Sequence, residues 1–134
     1  MKTWWIALLL LLTVTACLPG KIGKKDPEPD LAGVYQITYF ATSTTGTIIP
    51  RPGVSGLVNV VKNSDTQLSV SLSITNANTG RTSNTNPDIV TISKSGGAVY
   101  DLMDNGTRIG TVDGTTFTLN YSDNADSYSL TAKK

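Results

Sequence analysis

Few side chains in this sequence could do chemistry, and most of them lie close together. Asp101, Asp104, Asp113, Asp123 and Asp126 crowd into residues 101–126. Carboxylates gathered in space can act as acid and base or hold a hard cation. Their immediate neighbours explain them more simply. Asp104, Asp113 and Asp123 fall at or beside Asn105-Gly106, Asp113-Gly114 and Asp123-Asn124, where short polar side chains hydrogen-bond to the nearby backbone and favour a turn. Residues 101–106 lack the ligand spacing and terminal glutamate of an EF-hand loop, so no metal site is expected. Asp101 is the one acid inside a proposed strand, opposite in facing to Tyr100 and Leu102, and is expected on the outside. The chain has no histidine and a single cysteine, Cys17. The commonest general base and the soft ligands of zinc and copper are therefore missing. The sequence reads as a non-enzyme with no cofactor.

That leaves Cys17, and its surroundings give it a different task. Lys2 precedes an apolar run over residues 4–12, well short of the roughly 20 residues that span a bilayer. No helical period interrupts Ile6-Ala7-Leu8-Leu9-Leu10-Leu11-Leu12, and a polar, proline-bearing stretch follows, the pattern of a secretory signal. Val14-Thr15-Ala16-Cys17 resembles the lipobox of bacterial lipoproteins. The resemblance implies a diacylglyceryl thioether on Cys17, cleavage before it and an acylated new N-terminus, so that palmitate-type chains tie the protein to the membrane of the bacterial cell envelope. Leu18 stands where an aspartate would resemble the inner-membrane retention signal of enteric bacteria. An outer-membrane destination is implied, with the periplasmic or surface face left open. Residues 1–16 are then a cleaved signal peptide. Residues 17–30 are the lipidated cysteine and a linker, rich in proline and glycine, basic at Lys21, Lys24 and Lys25 and acidic at Asp26, Glu28 and Asp30.

The remainder, residues 31–134, suffices for one domain. The signal takes Lys2 and both tryptophans, Trp4 and Trp5. Against 11 Lys+Arg and 10 Asp+Glu in the whole chain, this leaves the two signs equal. Nucleic acid is not expected as a partner, because phosphate binding needs a clustered basic face.

The domain alternates like strand. Over 31–40, Tyr35, Ile37 and Tyr39 interleave with Val34, Gln36 and Thr38. Over 66–75, Leu68, Val70, Leu72 and Ile74 interleave with Ser69, Ser71 and Ser73. The second strand should pair antiparallel with 55–62 across Asn63-Ser64-Asp65. Residues 42–53 read as a long loop containing Ile48 and Ile49, and 76–87 as a polar, mobile loop. After Pro87 come strands at 89–93, 98–103, 107–112, 115–121 and 127–132. They are joined at Gly96-Gly97, Asn105-Gly106, Asp113-Gly114 and Asp123-Asn124, the dipeptides of tight hairpins. Phe117, Leu119 and Tyr121 share one face, and Tyr128 and Leu130 the matching face of the last strand.

Eight short antiparallel strands with consecutive hairpins predict an all-β, eight-stranded up-and-down barrel, with a β-sandwich as the alternative. Leu31-Ala32-Gly33-Val34-Tyr35, the long loop after it and the meander to the C-terminus resemble the lipocalin-like domains of small bacterial lipoproteins. Tyr35 takes the place of the tryptophan in the lipocalin Gly-x-Trp opening strand. The resemblance implies a barrel that binds a small apolar ligand. The lining would come from Tyr35, Ile37, Tyr39, Leu68, Val70, Leu72, Ile74, Phe117, Leu119, Tyr121, Tyr128 and Leu130, with residues 42–53 at the mouth. The competing expectation is that the same side chains fill the interior, and that the protein is a structural or protein-contact module with no ligand. An eight-stranded barrel is wide enough for either.

Overall fold

Strict alternation of apolar and hydroxyl residues dictates an extended chain with one dry face, and the strands follow it closely. The computed structural model describes residues 27–122 and 126–134. The signal, the lipobox with Cys17, most of the linker and the Asp123-Asn124 turn lie outside the described residues. The strands are β1 (Gly33–Thr42), β2 (Gly46–Ile49), β3 (Val54–Ser64), β4 (Gln67–Asn76), β5 (Arg81–Asn84), β6 (Asp88–Gly96), β7 (Val99–Asp104), β8 (Thr107–Val112), β9 (Thr116–Ser122) and β10 (Ser127–Lys133). Among the described residues there is no helix.

Eight of these strands pair antiparallel in the order β10-β9-β8-β7-β6-β4-β3-β1, and β1 returns to β10, from Gln36 opposite Lys133 to Thr42 opposite Tyr128. The circuit is closed. The expected eight-stranded barrel is therefore what forms, and a sandwich of two separate sheets is excluded. Closure leaves none of the eight with an unpaired edge along its full length, which removes the hazard of a free strand. The Asn105-Gly106 turn is the one its dipeptide demands, with both residues at positive φ, 47° and 80°, as a type I′ hairpin turn requires; at Gly96-Gly97 and Asp113-Gly114 only the second residue has positive φ. With its own core and a complete ladder, the segment 27–134 meets the requirements of an autonomous folding unit.

Two segments expected to be loops carry the remaining strands. Within 42–53, β2 folds back on β1, and Ile49 is buried against Gly56 and Ile37. A Cβ on Gly56 would lie 2.7 Å from Ile37 Cδ1 and 3.0 Å from Ile49 Cδ1, so a residue without a side chain makes the seat. Within 76–87, β5 pairs with the far end of β4, Ser73 opposite Asn84 through Asn76 opposite Arg81. Thr85 then satisfies both backbone groups of Leu72: its N–H donates to the Leu72 carbonyl, and its hydroxyl accepts from the Leu72 N–H, each at 2.9 Å. The segment has no apolar anchor, as its composition shows, and is held instead by backbone and hydroxyl hydrogen bonds.

A second correction concerns facing. Tyr39 does not point inward; it is 41% exposed on the outer wall. The ladder between β1 and β10 slips by one residue between Ile37 and Tyr39, with Thr38 the extra residue. Side chains alternate strictly along a strand, so one inserted residue reverses the face of all that follow. Phe40, opposite Leu130, becomes the inward neighbour of Ile37 and packs on the core.

The barrel has two unlike ends. At the end where the chain enters, the core is solid: Tyr35, Phe117, Leu68, Leu102, Leu130, Val58, Val60 and Val112 are fully buried, and the rings of Tyr35 and Phe117 meet at 5.9 Å. Leu31, just ahead of β1, lies buried beneath the entering chain. The Tyr35 hydroxyl donates to the Leu31 carbonyl at 2.8 Å, and the Lys134 ammonium donates to the carbonyls of Ala32 and Asp30 at 2.6 and 3.1 Å. Both ends of the domain are thus fastened together over this floor. Burial pushes the Tyr35 phenol up to about 12, and the charges of Asp30 and Asp113 add to the shift.

Candidate functional site

The opposite end is hollow. A cavity of about 360 Å³ runs down from it, walled by Val70 and Leu72 of β4, Val90 of β6, Leu102 of β7, Ile109 of β8, Phe117, Leu119 and Tyr121 of β9, and Tyr128 of β10. Each of these except Ile109 stands at an inward position of its strand's alternation. Ile109 is the extra residue where the β7–β8 ladder slips between Leu102 and Met103. Such a bulge re-aims a side chain, and here it adds one to the cavity wall. Tyr121 and Tyr128, directly opposite in the β9–β10 ladder, stack at 5.2 Å with 28° between their planes.

An opening exists because two ladders end early. β6 pairs with β7 only as far as Thr91 opposite Met103, and with β4 only as far as Asp88 opposite Val70. Beyond those points the wall parts, and the lip is formed by Asp88, Ile89 and Asp104. Ile89 is 64% exposed there. Both aspartates stand in the inward phase of their strands, Asp88 with Val90 and Ile92, and Asp104 with Leu102 and Tyr100.

Six of the twelve residues expected to line a cavity do so: Val70, Leu72, Phe117, Leu119, Tyr121 and Tyr128. Tyr35, Ile37, Leu68 and Leu130 are buried in the packed half. Ile74 is half-buried near the end of β4, opposite Gly56, and Tyr39 faces outward. None of residues 42–53 lines the cavity. The segment folds back on β1 at the same end of the barrel, tied to β10 by the Ser43 N–H donating to the Ser127 carbonyl at 2.8 Å and by a Thr44 to Asp126 hydrogen bond. The lip residues Asp88 and Ile89 are not among the site residues the sequence marks, and the sequence alone accounts for Asp104 as a turn residue. Alternation with Val90 and with Leu102 was the available signal for the two acids.

Among the described residues, Asp101 and Asp113 are accounted for locally. Asp101 lies outside, as expected, and its carboxylate takes a hydrogen-bonded ion pair from Arg108 Nε at 2.6 Å. Asp113 closes the β8–β9 turn, accepting from the Thr116 N–H at 2.7 Å, the Thr115 hydroxyl at 2.7 Å and the Thr115 N–H at 2.8 Å. Burial raises its pKa, and these bonds outweigh it, leaving the carboxyl below its ordinary value. Among the described residues no three acidic side chains converge on one point. No protein family, no curated protein and no solved structure matches the chain.

Proposed function

We propose that this chain is an envelope lipoprotein, tethered by lipid on Cys17, whose lipocalin-like barrel takes a small, largely apolar ligand into its open end. The observation that carries the reading is the cavity itself. Its volume of about 360 Å³ falls in the range of about 300–1,000 Å³ typical of small-molecule sites, which are apolar with a few polar groups at defined points. A filled barrel, the requirement of a pure interaction module, describes only the tether-side half.

The placement of the two ends supports a carrier. The chain enters beside Leu31, under the packed floor, so a tether through residues 17–30 leaves the mouth pointing away from the anchoring surface. A ligand then arrives from solution or from a partner opposite the membrane. The outward Val34, Leu57 and Val61 on β1 and β3 offer a second reading, contact with another protein along the barrel wall.

The anchoring arm is tested by feeding labelled palmitate to cells making the protein and its Cys17→Ser variant, since serine cannot form the thioether. Label and membrane retention are expected only in the former. Equal labelling of both would remove the lipoprotein assignment.

A further inference from the structure

We infer that the ligand of this cavity carries a positively charged head on its apolar body, an alkylammonium type of molecule rather than a fatty-acid carboxylate. This rests on the proposed reading of the cavity as a ligand site, and deepens it by naming the class.

The lining is apolar in depth and acidic at the lip. Of the residues that wall the space, the only two with acidic or basic side chains are Asp88 and Asp104. Strand alternation turns both toward the interior, on the same faces as Val90 and Leu102. Neither forms a salt bridge with a described residue. Three arginines lie at that end and none lines the space: Arg108 is outside the barrel and engaged, its Nε at 2.6 Å from Asp101, Arg51 donates to the Thr47 carbonyl at 3.2 Å, and Arg81 stands exposed on β5, opposite Asn76. The domain's lysines, Lys62, Lys94, Lys133 and Lys134, belong to the closed end, where they pair with Asp65, Glu28 or Asp30 or flank the last strand.

An incoming amphiphile therefore meets two negative charges where its head must come to rest, over walls that exclude water from its tail. Opposite charges at the rim attract, and a carboxylate head placed there would be repelled by the same amount. Tyr121 and Tyr128 stand beside the same opening, and an aromatic face attracts a cation by its quadrupole.

The test uses residues 27–134 and three probes of equal tail length: dodecylammonium, 1-dodecanol and laurate, each below its aggregation limit at pH 7. Tryptophan is absent from this segment, so tyrosine emission reports occupancy of the space beside Tyr121 and Tyr128, and thermal melts give an independent reading. Dodecylammonium is expected to bind about tenfold tighter than dodecanol, and laurate weakest. In the Asp88→Asn/Asp104→Asn double variant that preference should vanish while dodecanol affinity stays unchanged. Asp65→Asn, a charge change at the closed end, should leave all three affinities as they were.

Equal affinity for dodecylammonium and dodecanol, or tightest binding of laurate, would overturn the charged-head inference and leave the apolar-ligand reading standing. A preference equally lost in Asp65→Asn would assign it to overall charge and overturn the inference too. No saturable binding of any probe would remove the ligand reading, and the inference with it.

Discussion

Leu68 and Leu72 are two turns of the same alternation on β4, and the structure makes them energetically unlike. Leu68 is fully buried in the packed half, opposite Val90 and Lys62 in the neighbouring ladders. Leu72 is partly buried on the cavity wall. Truncating Leu68 to alanine removes a well-packed side chain and opens a void, for which the cost is about 2 to 5 kcal/mol. Truncating Leu72 only widens a space already present. The cavity contribution is then small, and at about 0.8 kcal/mol per buried methylene for a half-buried side chain the loss is about 1 kcal/mol. Urea melts of residues 27–134 measure both. With a slope of about 1 to 2 kcal/mol per molar, Leu68→Ala should lower the midpoint by about 2 M and Leu72→Ala by less than about 1 M. Ser71→Ala, in the outward phase between them, should stay within about half a kcal/mol. Ligand binding should rank them in reverse, Leu72→Ala weakening any apolar probe and Leu68→Ala sparing it among molecules that remain folded. Equal losses of stability at the two leucines would mean that the upper half of the barrel is packed like the lower, and that the cavity does not exist.

Two further outcomes follow from single atoms. Gly110 sits between Leu102 and Leu119 in the ladders, and a Cβ there would lie 2.0 Å from the Thr118 carbonyl oxygen; Gly110→Ala should cost about 3 kcal/mol or more, read by thermal melting, and a variant as stable as the parent would refute the close approach. The raised Tyr35 phenol favours the neutral form in the folded state, so its contribution is whole below the ordinary value of 10.0 and disappears as pH climbs through about 12; stability should fall over that window by on the order of 2 kcal/mol. Tyr35→Phe should flatten that fall while itself costing about 1 to 3 kcal/mol at neutral pH, because the buried Leu31 carbonyl loses its donor.

The barrel was legible because its information is local and redundant. Leu68, Val70 and Leu72 against Ser69, Ser71 and Ser73 fix a facing, and Asn105-Gly106 fixes a turn, with no help from distant residues. What the sequence concealed depends on neighbours far along the chain. Thr38 becomes a bulge only through its partner strand at Thr131, ninety-odd positions away, where its hydroxyl donates to the Thr131 carbonyl at 3.1 Å. Nothing in Tyr35-Gln36-Ile37-Thr38-Tyr39-Phe40 announces that the pattern reverses. β5 was hidden for a related reason. Arg81-Thr82-Ser83-Asn84 buries nothing, so periodicity has no signal to find, and the strand exists because β4 outruns β6 and leaves backbone groups that need partners.

The same mismatch in strand length explains why a cavity can exist in so small a barrel. β3 and β4 run past the start of β6, and the meander from β6 to β10 is built of shorter strands. Where all eight strands overlap, inward side chains meet across the axis and fill it, with Tyr35 and Phe117 supplying bulk at the level where the chain enters. Where only some continue, opposing residues are missing, and the inward phase of β6 and β7 changes from Val90, Ile92, Tyr100 and Leu102 to Asp88 and Asp104. The residues that end the core are those that set the lip. Loss of apolar partners and gain of charge therefore occur at one level of the barrel, as an amphiphile with a buried tail and a solvated head would require. Filling the upper space with a larger side chain at Val70 or Val90 should raise the melting temperature by added burial and, if the proposed ligand reading holds, lower the affinity for an apolar probe; a larger side chain that leaves probe affinity unchanged would show that these walls do not form the binding space.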